Sequence, residues 1–255
     1  MKAGQTLSSG ILVRQDFRDS VRIAMFLTGE DIQQCATLGG TVFIVQFEGR
    51  YFGITCRHVL RGFNWRQLAI TDQKFGRALA AISALYYPSE ATGGAEGSDL
   101  LDIAVLAFAD DVDATFFKDK AYIVDRDTIC RSRTGDVLIV NGALKDPTTI
   151  AGDDIAAVFG LLEFHDSGPA KWDPTLRQGI AYFDTAAIKN LTGISGAPVF
   201  NQTQGKLCGV VVRGGIEGQR ATMYYVEFSD VLKILEAIIK GTDRTAFEKD
   251  VEVPR

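Results

Sequence analysis

Apolar runs in this chain are short, and nearly every one is closed within a few residues by Gly, Pro or Asp. In the first half 41–47 is rich in β-branched and aromatic residues, which sit well on a pleated surface; Val21–Leu27 is apolar and reads as a strand, 51–56 returns from 41–47, and further short strands are expected at 67–71, 79–85 and Ile103–Phe108. Residues 137–141, 157–164, 180–184, 207–213 and 222–228 continue the pattern. Glu48-Gly49-Arg50 separates 41–47 from 51–56 by one tight turn and makes them a hairpin. Helical spacing is confined to the C-terminal part, where Val231, Leu232, Leu235, Ile238 and Ile239 recur on one face and Ser229 is placed to cap. A chain punctuated in this way is all-β, a sandwich or a pair of barrels, with one terminal helix.

Composition narrows the function. The chain has 255 residues, enough for one large domain or two small ones with a real core. A net charge of −5 argues against a general nucleic-acid binder, which needs clustered Lys and Arg. No apolar run approaches the ~20 residues that span a bilayer, so no membrane insertion is expected. Residues 1–10 are polar and lack the apolar core of a secretion signal, which gives a cytoplasmic expectation. In that setting Cys35, Cys56, Cys130 and Cys208, widely spaced and without a CxxC pair, are expected as free thiols. With two histidines, His58 and His165, a His-rich metal site is ruled out. The polar stretch 110–133 is the linker candidate, 89–98 and 168–174 read as loops, and the tail 241–255 is expected to fray.

The chemistry concentrates in Leu191-Thr192-Gly193-Ile194-Ser195-Gly196-Ala197-Pro198-Val199-Phe200. Gly193 and Gly196 let the backbone come close to a reacting carbonyl and take torsions a side chain forbids. Such a loop turns backbone N–H groups toward one spot beside the Ser195 hydroxyl, which an oxyanion requires. Gly-x-Ser-Gly also occurs in ordinary turns, so the upstream residues decide. His58 follows the strand 51–56, and Asp102 opens the buried-looking Ile103-Ala104-Val105-Leu106. Taken singly, each has an ordinary structural reading; in order, each at a strand edge, the three form a nucleophilic constellation. Asp99 is the only alternative acid and fits a loop better. His165, beside Asp166, matches no motif and reads as strand-end structure. Trp65 and Trp172 read as packing anchors, and Lys118-Asp119-Lys120 and Arg131-Ser132-Arg133 as solvated faces.

With Thr-x-x-His-Val at 55–59, Asp-Ile-Ala-Val at 102–105 and Gly-x-Ser-Gly-x-Pro at 193–198, the chain resembles the trypsin/chymotrypsin-like serine peptidases, of the disulfide-free bacterial type. The resemblance implies a double β-barrel of the chymotrypsin type with the active site in the cleft. A first half, 1–118, would carry His58 and Asp102; a second, 119–240, would carry Ser195 and the terminal helix. Ser195 would be the nucleophile and His58 the base; Asp102 would orient the imidazole, and the N–H groups of Gly193 and Ser195 would bind the oxyanion. Lys189 would lie near the pocket for the residue before the scissile bond, and Val212-Arg213-Gly214 along the substrate backbone. Lys189 and Arg213 either favour an acidic side chain there or point to solvent. The implied substrate is a protein or peptide, with no metal and no organic cofactor.

The pattern departs from the family at four positions. Cys56 and Arg57 replace the usual Ala-Ala, and Arg57 either crowds the site or turns to solvent. Ile194 replaces the aspartate with which digestive members bind a new N-terminus, and Ala197 replaces a common glycine. An unregulated cytoplasmic peptidase would be dangerous, so narrow specificity toward one protein, or an activating partner, is expected. The alternative is a catalytically silent peptidase-fold module that binds peptides or partner proteins. An α/β-hydrolase elbow is opposed by Ala197-Pro198 and the strand-like residues after them.

Overall fold

The computed structural model describes residues 15–27, 35–62, 64, 67–70, 82–88, 102–108, 114–117, 119–151, 154–183, 188–241 and 247–249. Trp65, Asp99, Lys118, the loop 89–98 and the side chain of Cys35 lie outside them. After a short helix α1 (Gln15–Asp19) come β1 (Val21–Leu27), β2 (Cys35–Phe47) and β3 (Arg50–Cys56). A single helical turn α2 (Arg57–Leu60) then leads to β4 (Leu68–Ala69), β5 (Ile82–Pro88) and β6 (Ile103–Phe108). The β2–β3 hairpin turns on Glu48 and Gly49, both with positive φ (47° and 77°), the hand that matches strand twist. The first sheet runs β5-β6-β3-β2-β1-β4, every neighbouring pair antiparallel.

A connecting stretch holds α3 (Ala114–Phe117) and β7 (Tyr122–Ile123). It does not hang free: β7 pairs with β2 in parallel, and Tyr122 and Phe117 are fully buried. The second half is a closed six-stranded barrel, β10-β13-β12-β11-β8-β9. Its strands are β8 (Val137–Ala151), β9 (Asp154–Pro169), β10 (Leu176–Tyr182), β11 (Pro198–Asn201), β12 (Lys206–Glu217) and β13 (Arg220–Glu227). β8 and β9 are much longer than the apolar runs 137–141 and 157–164, and the loop expected at 168–174 begins only after Pro169.

Helix α4 (Phe228–Lys240) closes the described core and ends at Gly241, whose left-handed φ of 59° lets its N–H bond back to Ile238 C=O. The expectation for Ser229 is corrected: Glu227 is the N-cap residue, and Ser229 lies inside the first turn with a buried hydroxyl. Val231, Leu232 and Leu235 are buried as the spacing requires. Within the tail, the fraying expectation is corrected for 247–249, where β14 (Phe247–Lys249) pairs antiparallel with β5; 242–246 and 250–255 lie outside the described residues. One apolar cluster fills the first half and crosses to Phe200, Val210, Val212 and Phe228; a second fills the closed barrel around Phe164, Val199, Met223 and Tyr225. Cys56, Cys130 and Cys208 are free thiols; burial raises the Cys130 thiol to about 11.

Candidate active site

The register of β3 and β6 explains how His58 meets Asp102. Cys56, the last residue of β3, stands opposite Ile103, the first of β6, so the residues just beyond both strands are neighbours. Buried Val59 and Leu60 anchor α2 and leave Arg57 and His58 on its open side. Asp102 grips His58 with both oxygens. Oδ1 accepts from the His58 backbone N–H at 2.9 Å, and Oδ2 lies 2.5 Å from Nδ1. A carboxylate only accepts, so Nδ1 carries a proton, and in the neutral imidazole Nε2 is the acceptor. The His58 side chain is 45% exposed and that of Asp102 19%, so the pair opens to solvent through the imidazole.

Ser195 belongs to the loop that enters β11. Within 192–197, four backbone N–H groups have partners among the described residues. Thr192 donates to Asn190 Oδ1, Ile194 to Leu191 C=O, Gly196 to Val211 C=O and Ala197 to Ile194 C=O. The N–H groups of Gly193 and Ser195 have none among the described residues. Gly193 needs to be glycine twice over, because its φ is +103° and a Cβ would stand 2.6 Å from Ala143 C=O. At Gly196, with φ +87°, a Cβ would meet Thr41 C=O at 2.1 Å. Ser195 Oγ donates to Val212 C=O at 3.5 Å, a long bond, and has no bond to His58.

Gly40 shows that the two halves converge here: a Cβ on it would lie 2.8 Å from Val59 and 3.1 Å from Ser195 C=O. Thr41 N–H donates to Ser195 C=O at 2.9 Å. Cys56 Sγ donates to Val211 C=O, the same oxygen that takes the Gly196 N–H. Arg57 does not crowd the site; its guanidinium lies 4.7 Å from the Tyr87 ring centre. Ile194 is buried at 1% exposure, and Ala197 is fully buried.

Past Val211, β12 has β13 on one side and no strand on the other among the described residues, so 212–217 offer an open edge beside Ser195. Val212 is buried within a register shift that aims its carbonyl at Ser195. A side chain at Gly214 would meet Ile194 at 2.9 Å and Leu191 at 3.3 Å. Arg213 is exposed, with its guanidinium 5.2 Å from the Trp172 ring centre, and the Lys189 side chain is exposed as well. His165 projects outward from β9, 3.9 Å from Glu163, on no shared bond with Ser195. Asp166 beside it is buried and bonded to Arg177, Ser132 and Tyr225.

Cys56, His58 and Asp102 each bring a possible metal-binding atom within 4.8 Å of the others. Two ligands of one tetrahedral ion stand about 3.3 Å apart, given bonds of about 2.0–2.1 Å. Nδ1 and Oδ2, at 2.5 Å, are instead joined by a hydrogen bond. The sequence gives Thr41 no role beyond its strand and Thr55 none beyond its place in Thr-x-x-His-Val, yet both bond at this crossing. Their signal was the Gly39-Gly40 pair, which permits a close crossing of α2 and the Ser195 loop over β2.

No protein-family model matches the chain, and no curated protein does. Solved structures that resemble it cover most of its length. They include human heparin binding protein (TM-score 0.61, 10% identity, 91% of this chain and 96% of that one). The scabies mite inactivated protease paralogue S-I1 gives 0.58, 15% identity and coverages of 89% and 98%. Thermostable serine protease AL20, from an extremophilic microorganism, gives 0.56, 15% identity and coverages of 89% and 100%. A heparin-binding protein and an inactivated paralogue share this architecture with an enzyme, so hydrolysis has to be argued from residues. By its strand topology and this likeness, the chain has the fold of the chymotrypsin-like serine proteases.

Proposed function

We propose that the chain is a serine endopeptidase acting through Ser195, His58 and Asp102. The observation that carries the reading is the coincidence of a carboxylate-held imidazole with two unclaimed N–H groups flanking the Ser195 loop. Ser195 Oγ turns about χ1 from Val212 C=O to His58 Nε2 when substrate arrives; such bonds are often loose in the free enzyme. Nε2 takes the hydroxyl proton as Oγ attacks the peptide carbonyl, and the N–H groups of Gly193 and Ser195 receive the oxyanion. The proton then passes to the departing amine, and water hydrolyses the acyl-enzyme by the same route. Asp102 holds the tautomer and stabilises the imidazolium.

The substrate is a protein or peptide segment laid along the open edge of Val212, Arg213 and Gly214; by the family resemblance Lys189 lies near the pocket for the residue before the scissile bond. Restricted action on a cytoplasmic partner protein follows from the hazard of a general peptidase. Binding without hydrolysis is the second reading, favoured by the Ser195 hydroxyl resting on Val212 C=O. A fluorophosphonate probe separates the two. Wild type is expected to label at Ser195, with Ser195→Ala and His58→Ala unlabelled; a folded wild type that stays unlabelled leaves the binding module.

A further inference from the structure

Thr41 lies on β2, in the first half of the chain, yet most of its hydrogen bonds go to the second. Its N–H donates to Ser195 C=O at 2.9 Å. Its hydroxyl donates to Gly193 C=O at 2.7 Å and accepts from the Ala143 N–H at 2.9 Å. Its own carbonyl accepts from Thr55 Oγ1 at 2.8 Å, and the residue is fully buried. One hydroxyl has one proton and two lone pairs, so both side-chain bonds form at once.

These bonds decide which way the loop's donors face. In a trans peptide the C=O and the following N–H point in opposite directions, and the described chain has no cis peptide. Thr192 C=O is held by the Lys145 N–H at 2.9 Å, so the Gly193 N–H turns away from β8. Gly193 C=O is held by the Thr41 hydroxyl, so the Ile194 N–H turns back to Leu191. Ile194 C=O is held by the Ala197 N–H, which turns the Ser195 N–H outward. Every peptide plane from 192 to 195 is thus fixed by its carbonyl.

We propose that Thr41 is a positioning residue that sets the oxyanion pocket from the opposite half of the molecule. Its hydroxyl locks the 193–194 plane directly. Through Ala143 it also braces the segment of β8 whose Lys145 N–H locks the 192–193 plane. Ile194, buried among apolar side chains, provides no salt bridge to do this work. Without the hydroxyl, Gly193 C=O and the Ala143 N–H lose their partner in a buried place. Glycine tolerates either hand, so once the 193–194 plane and the Ala143 segment are released, the 192–193 plane can turn over and take the Gly193 N–H out of the pocket. The catalytic consequence rests on the peptidase reading above; the conformational one does not.

The test compares wild type, Thr41→Val, Thr41→Ser and Thr203→Val. The last removes a hydroxyl that accepts the Val137 N–H elsewhere on the barrel. With a fluorophosphonate probe, Thr41→Val is expected to label about a hundredfold more slowly at an unchanged probe affinity. Thr41→Ser recovers most of the rate, and Thr203→Val labels as wild type does. A crystal structure of Thr41→Val is expected to show the Gly193 N–H displaced. If Thr41→Val does not fold, Thr41→Cys, similar in size with a weak donor, is read in the same way. Wild-type labelling by folded Thr41→Val, or a Gly193 N–H that keeps its direction, overturns the proposal. An unlabelled wild type removes the peptidase reading alone, and the direction of the Gly193 N–H in the variant still decides the role of Thr41.

Discussion

Ile194 shows how much a single side chain decides in the Ser195 loop. It is 1% exposed, sits in the apolar cluster of the closed barrel and lies against Gly214. Where a carboxylate would need a new N-terminus to neutralise it, an isoleucine holds its loop by packing alone. Ile194→Asp would bury a charge in that cluster. It is expected to cost about 3–5 kcal/mol, read as a lowered Tm, and to abolish probe labelling. At this scale the His58–Asp102 contact and the need for glycine at 193 and 196 were legible in advance. His58, Asp102 and Ser195 stood out because nucleophilic chemistry needs their side chains, and the glycines because their backbone conformations exclude other residues. Thr41 was not legible, since its role rests on which carbonyls face it after folding, and a strand threonine has ordinary reasons to be there.

At the level of elements, the loop 191–197 takes its shape from the strands around it. β8 supplies the Lys145 N–H to Thr192, and β12 takes the Gly196 N–H on Val211. Lys145→Pro deletes that N–H and is expected to slow labelling about a hundredfold, whereas Lys145→Ala keeps it and labels normally. The two variants, compared under one probe, separate backbone support from side-chain charge. Strand existence was readable from β-branched and aromatic runs; strand length was not. β8 and β9 reach 15 and 16 residues because each supplies the other's ladder through Gly142, Gly160 and polar positions that no apolar pattern marks. The start of α4 was misplaced for a similar reason: Phe228 and Ser229 are already helical, the buried Phe228 ring packing on Phe43, so packing outweighs cap chemistry.

Across the whole molecule, the halves are tied at both ends of the core. Phe17 of α1 packs at a tilt on Phe200 of β11, with Asn141 Nδ2 donating to Phe17 C=O, and Phe228 of α4 meets Phe43 of β2. The closed barrel has its own buried polar centre. Burial would raise the Asp166 carboxyl, but bonds from Arg177, Tyr225, Ser132 and the Gly168 N–H outweigh it and hold it below the usual range. A depressed folded value contributes stability above the unfolded value, near 3.9, and loses it as pH falls through the folded one. Asp166→Asn is expected to cost about 3–5 kcal/mol at neutral pH by leaving Arg177 buried and unpaired. In denaturation curves taken from pH 6 to pH 2, the gap between wild type and variant should narrow only below about pH 4. The all-β plan was visible from the punctuation of the sequence; the ties between its two sheets were not, because they join residues more than a hundred positions apart. The edge of β12 beside Ser195, open among the described residues, carries a further cost for the molecule as a whole. A strand edge that would take a peptide, on the proposed function, is equally open to a second copy of the same protein. Arg213, Gly214 and Gly215 occupy that stretch, a charge followed by two residues with no side chain to zip. An edge written in such residues pairs weakly with itself and leaves the contest to a guest whose side chains find something to hold.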